Sequence, residues 1–295
     1  MQVLVAGGTG FIGRHLCAAL ADRGHAVTAC SRDPDPSAAP DGVRVEAGDV
    51  TTFDSIAPLI EATDAVVNLV ALSPLFKPSG GEEVHERVHL TGTRNVVRAM
   101  ADSPCDRLLQ FSAIAAGPEG PTSYLRAKGK AERVITAADV DWTIVRPTVV
   151  FGPGDEFVPM TRTLTTPYVT GLPGGGRSRF QPIAVTDLVN LMARALEDES
   201  HVEEVYELGG PTVYTLADVT RAIYAAENKP VRIIPIPMAL ARIGLAVIDP
   251  VPGIPFGRDQ YRALSVDAIA DPNDVDAFDV AEADLTTLEE DLADR

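Results

Sequence analysis

Residues 3 to 13 read Val3-Leu4-Val5-Ala6-Gly7-Gly8-Thr9-Gly10-Phe11-Ile12-Gly13, an apolar run that enters glycines at 7, 10 and 13 and continues into apolar residues at helical spacing, Leu16 and Leu20. An apolar strand, a glycine turn and a helix in that order leave few folds open. Gly7 allows a sharp turn after the strand, Gly10 lets peptide N–H groups approach an anion, and Gly13 lets the helix pack close to the sheet. The helix N-terminus then presents free N–H groups and a positive dipole end. Gly7, Thr9, Gly10, Phe11, Ile12 and Gly13 therefore read as a cradle for the pyrophosphate of a dinucleotide. A second strand, Ala26 to Ala29, follows within the length of a βαβ unit.

Strand and helix alternate from there. Val43 to Glu46 reads as a strand leading into Gly48-Asp49-Val50, and Asp64 to Ala71 as a strand buried on both faces. Glu82 to Met100 reads as a long helix, Arg107 to Phe111 as a strand, Thr122 to Ala138 as a helix begun near Pro121, and Trp142 to Arg146 as a sixth strand. This rhythm predicts an α/β protein: a Rossmann doubly wound parallel sheet with helices on both faces and ligands at the carboxyl ends of its strands.

Beyond Pro147 the regularity breaks, with prolines and glycines clustered through Phe151 to Gly154 and Pro173 to Gly176. A helix from Thr186 to Leu196 returns to the first lobe, and a strand follows near Val205 to Leu208. Helices near Leu216 to Ala226 and Met238 to Ile248 fall in a smaller, discontinuous C-terminal substrate lobe. The division expected is a dinucleotide-binding domain over 1–150, completed by about 180–200, and a lid lobe from 151–180 and 201–295. Residues 265 to 281, rich in Asp and poor in aromatics, read as irregular surface.

Charge narrows the partners. Forty-two acidic against 25 basic residues give a net charge of −17, and the lysines are four, Lys77, Lys128, Lys130 and Lys229. A chain so acidic is a poor partner for nucleic acid. Acid excess with scarce lysine reads as adaptation to concentrated salt, where the Debye length shrinks to about 3 Å at 1 M and self-repulsion is screened. The alternative is an acidic tail on an ordinary protein, since eleven acids and one base, Arg295, follow from Asp267 onward. Cys17, Cys30 and Cys105 form no CxxC pair, which suits reduced thiols. No positively charged leader precedes the first strand, and the longest apolar stretch is too short to span a bilayer, so a cytoplasmic protein, with a high-salt cytoplasm, is the expectation.

Ser112 ends the fifth strand, and Tyr124 with Lys128 follows at i, i+4 on one face of the next helix. A phenol has a reference pKa of about 10, and an ammonium beside it favours the phenolate. Lys128 is expected to lower Tyr124 and to hold ribose hydroxyls. Ser112 is expected to hydrogen-bond a substrate oxygen while Tyr124 moves a proton to or from it.

The glycine motif, Asp49-Val50, Ser112, Tyr124-x-x-x-Lys128 and Arg146-Pro147 resemble an extended or atypical short-chain dehydrogenase/reductase over nearly the whole chain. More narrowly, Phe151-Gly152-Pro153-Gly154-Asp155, Phe180-Gln181-Pro182 and Tyr206-Glu207-Leu208-Gly209-Gly210-Pro211 are similar to the branch related to the alpha-subcomplex accessory subunit of NADH:ubiquinone oxidoreductase. The resemblance implies that Asp49 and Val50 meet the adenine, that Val70 and Ala71 line the cofactor, and that Pro147 and Val150 border the nicotinamide. That branch includes structural subunits with bound cofactor as well as free-standing proteins. Two functions follow: an oxidoreductase acting on a carbonyl or alcohol of a nucleotide sugar, isoprenoid or quinone-like compound, or a non-catalytic accessory protein at the periphery of a membrane respiratory complex.

The residue after the second strand sets ribose preference, an acid suiting the 2′-hydroxyl and an arginine the 2′-phosphate. Ser31 and Arg32 stand there, with Arg14 as a second cation, so NADP(H) is favoured, while Asp33 keeps NAD(H) as the alternative. Family members commonly carry an asparagine where His89 aligns. His85-Glu86-Arg87-Val88-His89 also matches HExxH formally, but no third ligand is indicated and no metal is expected. His15, His25 and His201 read as surface or turn residues. A loop through Arg177, Arg179, Phe180 and Gln181 reads either as a closing substrate loop or as a solvated hairpin. The salt reading is tested by thermal denaturation: the melting temperature should climb steeply with KCl up to molar concentrations, and a flat or falling profile would refute it.

Overall fold

The computed structural model describes residues 1–75, 78, 80–240, 262 and 266–295. Two compact units divide them. The first comprises Met1–Leu72, Gly80–Arg146 and Leu188–Tyr206, the second Ser73–Ser79, Pro147–Asp187 and Glu207–Arg295.

The first unit opens with β1 (Gln2–Ala6), α1 (Phe11–Asp22), β2 (Ala26–Ser31), β3 (Arg44–Ala47), α2 (Phe53–Glu61) and β4 (Ala65–Asn68). A helical stretch follows in three contiguous parts, α3 (Glu83–His85), a π-helical turn (Glu86–Thr91) and α4 (Gly92–Ala101). Next come β5 (Arg107–Phe111), α5 (Ser123–Ile135) and β6 (Asp141–Pro147). The expected long helix over Glu82 to Met100 is thus interrupted by a wider turn that begins just after His85 and holds His89. Such turns are rare and concentrate at functional positions.

The sheet order is β11-β6-β5-β4-β1-β2-β3, in which β11 is Glu204–Leu208, and every pairing among β1 to β6 is parallel. The doubly wound architecture expected from the βα rhythm is therefore the one observed. Strands β4 and β5 are buried along their full length, as a sheet covered by helices on both faces requires. Ile56, Ile60, Val96 and Met100 from the helices meet Leu4, Val66, Leu108 and Ile144 from the strands in one apolar core. Residues up to Tyr206 contribute to this unit, so the strand expected near Val205 to Leu208 serves the first sheet as well as the second unit.

Buried polar groups tie the edge of this sheet. Arg107 donates from Nη1 to the Asp141 carbonyl at 2.9 Å and from Nη2 to Thr143 Oγ1 at 2.8 Å, and also to the carbonyls of Ala195 and Leu196 near the end of the helix Val185–Glu197. His201, expected as a surface or turn residue, lies in a 3-10 turn, Glu199–His201, and is 7% exposed, with Nδ1 2.7 Å from the Tyr206 hydroxyl. A buried imidazole keeps a polar partner because leaving one unmade costs about 1–3 kcal/mol.

In the second unit, β7 (Val150–Phe151) pairs with β10 (Ile183–Ala184), and β9 (Arg179–Phe180) with β12 (Tyr214–Thr215). β8 (Tyr168–Pro173) lies parallel to β13 (Val231–Ile236). Phe151, Phe157, Val219 and Ile223 form its core with Leu288 and Leu292. The last two belong to a C-terminal helix, Leu288–Asp294, capped reciprocally by Thr287 and Glu290. Acidic composition hid that helix, although Thr287-Leu288-Glu289-Glu290 is a capping-box signature. Residues 241–248 of the helix expected over Met238 to Ile248 lie outside the described residues.

The loop read either as a closing substrate loop or as a solvated hairpin is pinned in this unit. Arg179 pairs with Asp267 at 2.7 Å, and Phe180 packs on Phe157 with ring centroids 6.1 Å apart. Gln181, 5% exposed, donates to the Gly210 carbonyl at 2.8 Å and accepts from Ala270 N at 3.0 Å. Its amide closes backbone bonds, which leaves it a structural clamp.

Candidate active site

The glycine turn is built by close approach. Gly7 has φ +85°, a conformation that L side chains rarely adopt, and its N–H bonds the Cys30 carbonyl at 2.8 Å, which links β1 to β2. A Cβ on Gly13 would stand 2.2 Å from the Gly7 carbonyl oxygen, so no other residue fits where α1 meets the turn. Gly10 caps α1 without a side chain, and no acid occupies the first helical turn. The free N–H groups there keep their positive potential, the property an anionic pyrophosphate needs.

The residues after β2 and β3 suit the rest of a dinucleotide. The Ser31 hydroxyl is buried with no hydrogen-bond partner among the described residues, while Arg32 and Asp33 are exposed. Asp49 Oδ1 accepts from Thr51 N and Oγ1, both at 2.8 Å, which shapes the turn that carries Val50. The Val50 carbonyl accepts from Asn95 Nδ2 at 2.8 Å. After β4, Asn68 Oδ1 accepts from Val70 N at 3.3 Å and its Nδ2 donates to Gln110 Oε1 at 2.9 Å, while Ala71 is exposed. These positions fit the cofactor the motif implies. Pro147 and Val150, at the end of β6 and the start of β7, belong to the second unit.

Thr122 caps α5 by accepting from Leu125 N at 3.2 Å, which fixes the helix phase and sets Tyr124, Lys128 and Glu132 on one stripe. All three are buried, Lys128 to 1% exposure. Lys128 Nζ donates to the Phe111 carbonyl at 2.7 Å, a carbonyl that also accepts from Gln110 Nε2 at 3.0 Å. Burial brings the Lys128 ammonium down to about 7, with Glu132 opposing the shift. Burial likewise pushes the Tyr124 phenol above its ordinary value. The spacing predicts a phenol lowered by an ammonium; desolvation instead moves both groups toward their neutral forms, because charge is costly where water is excluded.

Ser112 Oγ donates to Glu132 Oε1, and Arg146 clasps the same carboxylate through Nε at 2.9 Å and Nη2 at 2.6 Å. The structure therefore brings Ser112 to an ion pair whose carboxylate is buried and whose guanidinium is half-buried. Glu132 was missed in the sequence although the spacing Tyr124, Lys128, Glu132 continues one helical face. Asn68 and Gln110 carried another signal, as single amides inside apolar strands. The imidazoles of His85 and His89 stack at 5.6 Å, and each meets the Tyr124 ring edge-on, at 5.8 and 5.2 Å between centroids.

A family model described as NAD(P)H-binding matches residues 7–199. The chain belongs to this NAD(P)H-binding family. The match starts at Gly7 and runs past the α5 stripe, so it covers the whole site just described. Among relatives of this NAD(P)H-binding protein, "Epimerase family protein SDR39U1" of Bos taurus is 30% identical over 267 residues, 82% of this chain and 85% of that protein. "NADH dehydrogenase (ubiquinone) 1 alpha subcomplex subunit 9, mitochondrial" of Arabidopsis thaliana is 28% identical over 288 residues, 91% of this chain and 71% of that protein. The NAD complex of UDP-glucose 4-epimerase from Thermus thermophilus shares the fold with a TM-score of 0.73 at 19% identity, covering 99% and 97% of the two chains. The resemblance to extended short-chain dehydrogenase/reductases thus holds at the level of family and fold.

The lowered Lys128 makes stability depend on pH. Unfolded, the side chain keeps its proton up to about its ordinary value of 10.5; folded, it releases it near 7. Between these values the unfolded chain binds more protons, so rising pH favours the folded state, and the gain is lost as pH falls through 7. Urea denaturation of wild type and Lys128→Met in the same salt should show wild type gaining up to about 1.4 kcal/mol per pH unit relative to the variant between about pH 7.5 and 9. Parallel profiles would mean that Lys128 stays charged in its buried place.

Proposed function

We propose that the first unit binds NADP(H) and that the chain is an oxidoreductase acting on a carbonyl or alcohol, of the nucleotide-sugar, isoprenoid or quinone-like class. The observation that carries this reading is the Tyr124–Lys128 pair, one turn apart, closed off from water, in the same unit as a glycine turn that only glycine can form. Peptide N–H groups at the start of α1 hold the pyrophosphate. Asp49 and Val50 face the adenine, Ser31 and Arg32 the adenosine ribose and its 2′-phosphate, and Val70 and Ala71 the cofactor's flank. Lys128 holds ribose hydroxyls. The nicotinamide, when bound, gives or takes the hydride. Tyr124, kept protonated by burial, passes its proton to the substrate oxygen in the reductive direction and recovers it in the oxidative one. Ser112 reaches that oxygen by turning its hydroxyl away from Glu132.

A second reading, favoured by the commitment of Ser112 to Glu132 and Arg146, is a non-catalytic NADP(H)-binding accessory or assembly protein of a respiratory NADH:quinone oxidoreductase. The 28% identity to a protein named as a subunit of NADH dehydrogenase supports it. Among the described residues no helix is long and apolar enough to cross a membrane, so this reading requires a peripheral position on such a complex.

Tyr124→Phe separates the two. With NADPH oxidation followed over a panel of carbonyl compounds, the oxidoreductase reading expects turnover to fall by about 10²-fold or more while NADPH affinity is kept. No turnover in either form, with nucleotide copurifying and a respiratory partner retained, establishes the accessory reading. For the cofactor, calorimetric titration of Arg32→Asp should show NADPH affinity falling by about ten- to a hundredfold relative to NADH, the worth of one charge-assisted phosphate contact. Unchanged discrimination would place recognition of the 2′-phosphate elsewhere.

A further inference from the structure

Two amides stand inside otherwise apolar strands, Asn68 at the end of β4 and Gln110 in β5, each 2% exposed and directly opposite each other in the parallel register. A buried amide has to find partners for both of its ends, a demand that leucine or valine would not make. The register stops at this pair, one residue short of Phe111, and the side chains carry the hydrogen bonding onward. Val70 N donates to Asn68 Oδ1 at 3.3 Å, Asn68 Nδ2 donates to Gln110 Oε1 at 2.9 Å, and Gln110 Nε2 donates to the Phe111 carbonyl at 3.0 Å. Lys128 Nζ donates to that same carbonyl at 2.7 Å.

The two ends of this relay fix its direction. A peptide N–H can only donate and a peptide carbonyl can only accept. Asn68 therefore turns its oxygen to Val70 and its nitrogen to Gln110, and Gln110 turns its oxygen to Asn68 and its nitrogen to Phe111. Turning Gln110 over would set donor against donor at Asn68 and acceptor against acceptor at Phe111. The N–H that Gln110 brings to the Phe111 oxygen thus has its positive end beside Lys128 Nζ.

We propose that Gln110, oriented by Asn68, is a positioning residue for Lys128: it holds the Phe111 carbonyl toward Nζ and, by sharing that oxygen, leaves it a poorer acceptor for an ammonium than a carbonyl Lys128 had to itself. The role this gives Lys128 rests on the oxidoreductase reading above. An Nζ anchored by one hydrogen bond turns its remaining hydrogens to the ribose, and one that gives up its charge readily exchanges a proton at neutral pH. Burial and Glu132 act on Nζ at the same time, the first lowering its proton affinity and the second raising it. Around it also stand Tyr124 one turn back on α5, His89 with His85 stacked on it from the helical stretch before β5, and Arg146 from β6, paired with Glu132. Gln110 and Asn68 carry no charge, so replacing them leaves that set of charges intact and alters the acceptor that Lys128 uses.

The test is an NMR titration of the full chain, isotopically labelled at lysine Cε, without nucleotide. The chain has four lysines, and Lys128→Met identifies the signal to follow. Gln110→Met and Asn68→Val should each raise the pH midpoint of Lys128 by about half to one unit, the worth of one hydrogen bond. The double variant should match Gln110→Met alone, because Asn68 acts through Gln110; a shift equal to the sum of the two overturns the relay. An amide pair kept for packing predicts the opposite sign. Replacing polar groups by apolar ones deepens the desolvation of Lys128, so its midpoint stays or falls, and that result overturns the proposal. Where one single variant does not fold, the other decides; failure of both to fold marks the pair as structural and overturns the proposal as well. Calorimetry of wild type with NADPH and NADH is the separate arm: binding of neither removes the oxidoreductase reading and the role it gives Lys128, while the midpoints still decide whether Gln110 positions Nζ.

Discussion

The close packing of the α1 backbone on the Gly7 turn is the constraint on which the first unit depends. Because a Cβ at position 13 would stand 2.2 Å from the Gly7 oxygen, the N-terminus of α1 can lie directly beyond the carboxyl end of β1 only with glycine there. The Gly7 N–H to the Cys30 carbonyl locks the same turn to β2. One contact thereby fixes helix direction and the place of the helix's free N–H groups. Everything assigned to a dinucleotide lies downstream of that geometry.

A second layer of constraint is electrostatic. Tyr124, Lys128 and Glu132 are buried together, and the fold meets the cost with specific partners: the Phe111 carbonyl for Lys128, Arg146 and Ser112 for Glu132. Asn68 and Gln110 extend the network from β4 to β5 and end on the carbonyl that holds Lys128. Networks of this kind are stable only when nearly every member is satisfied, since the low local dielectric strengthens good bonds and penalises missing ones alike. Lys128 meets that demand partly by giving up its charge more readily than a solvated lysine.

The second unit is held differently. Its strands pair two by two, and β7, β9, β10 and β12 are two residues long, so side-chain clamps do the work that a continuous ladder does in the first unit. Gln181 joins Gly210 to Ala270, Asp267 binds Arg179, and Asp155, buried beneath Arg295, ties the C-terminal helix down. Several of the acids that make the chain so negative are thus structural acceptors rather than free surface charge. That distinction is invisible in a count of residue types.

The sequence by itself determined the doubly wound fold and the place of the nucleotide turn. Both rest on local rules: apolar strands, glycine sterics and helical periodicity act within about 30 residues and need no distant partner. It also placed Tyr124 and Lys128 on one face of a helix whose cap, Thr122, is written beside them. Tertiary structure alone decided what those residues experience. Whether Lys128 is charged depends on Phe111 and on exclusion of water, Ser112 meets Glu132 from a different element, and His89 meets Tyr124 across two helices. Desolvation and long-range pairing are properties of the packed chain, which is why spacing found the pair while only the fold revealed its electrostatics.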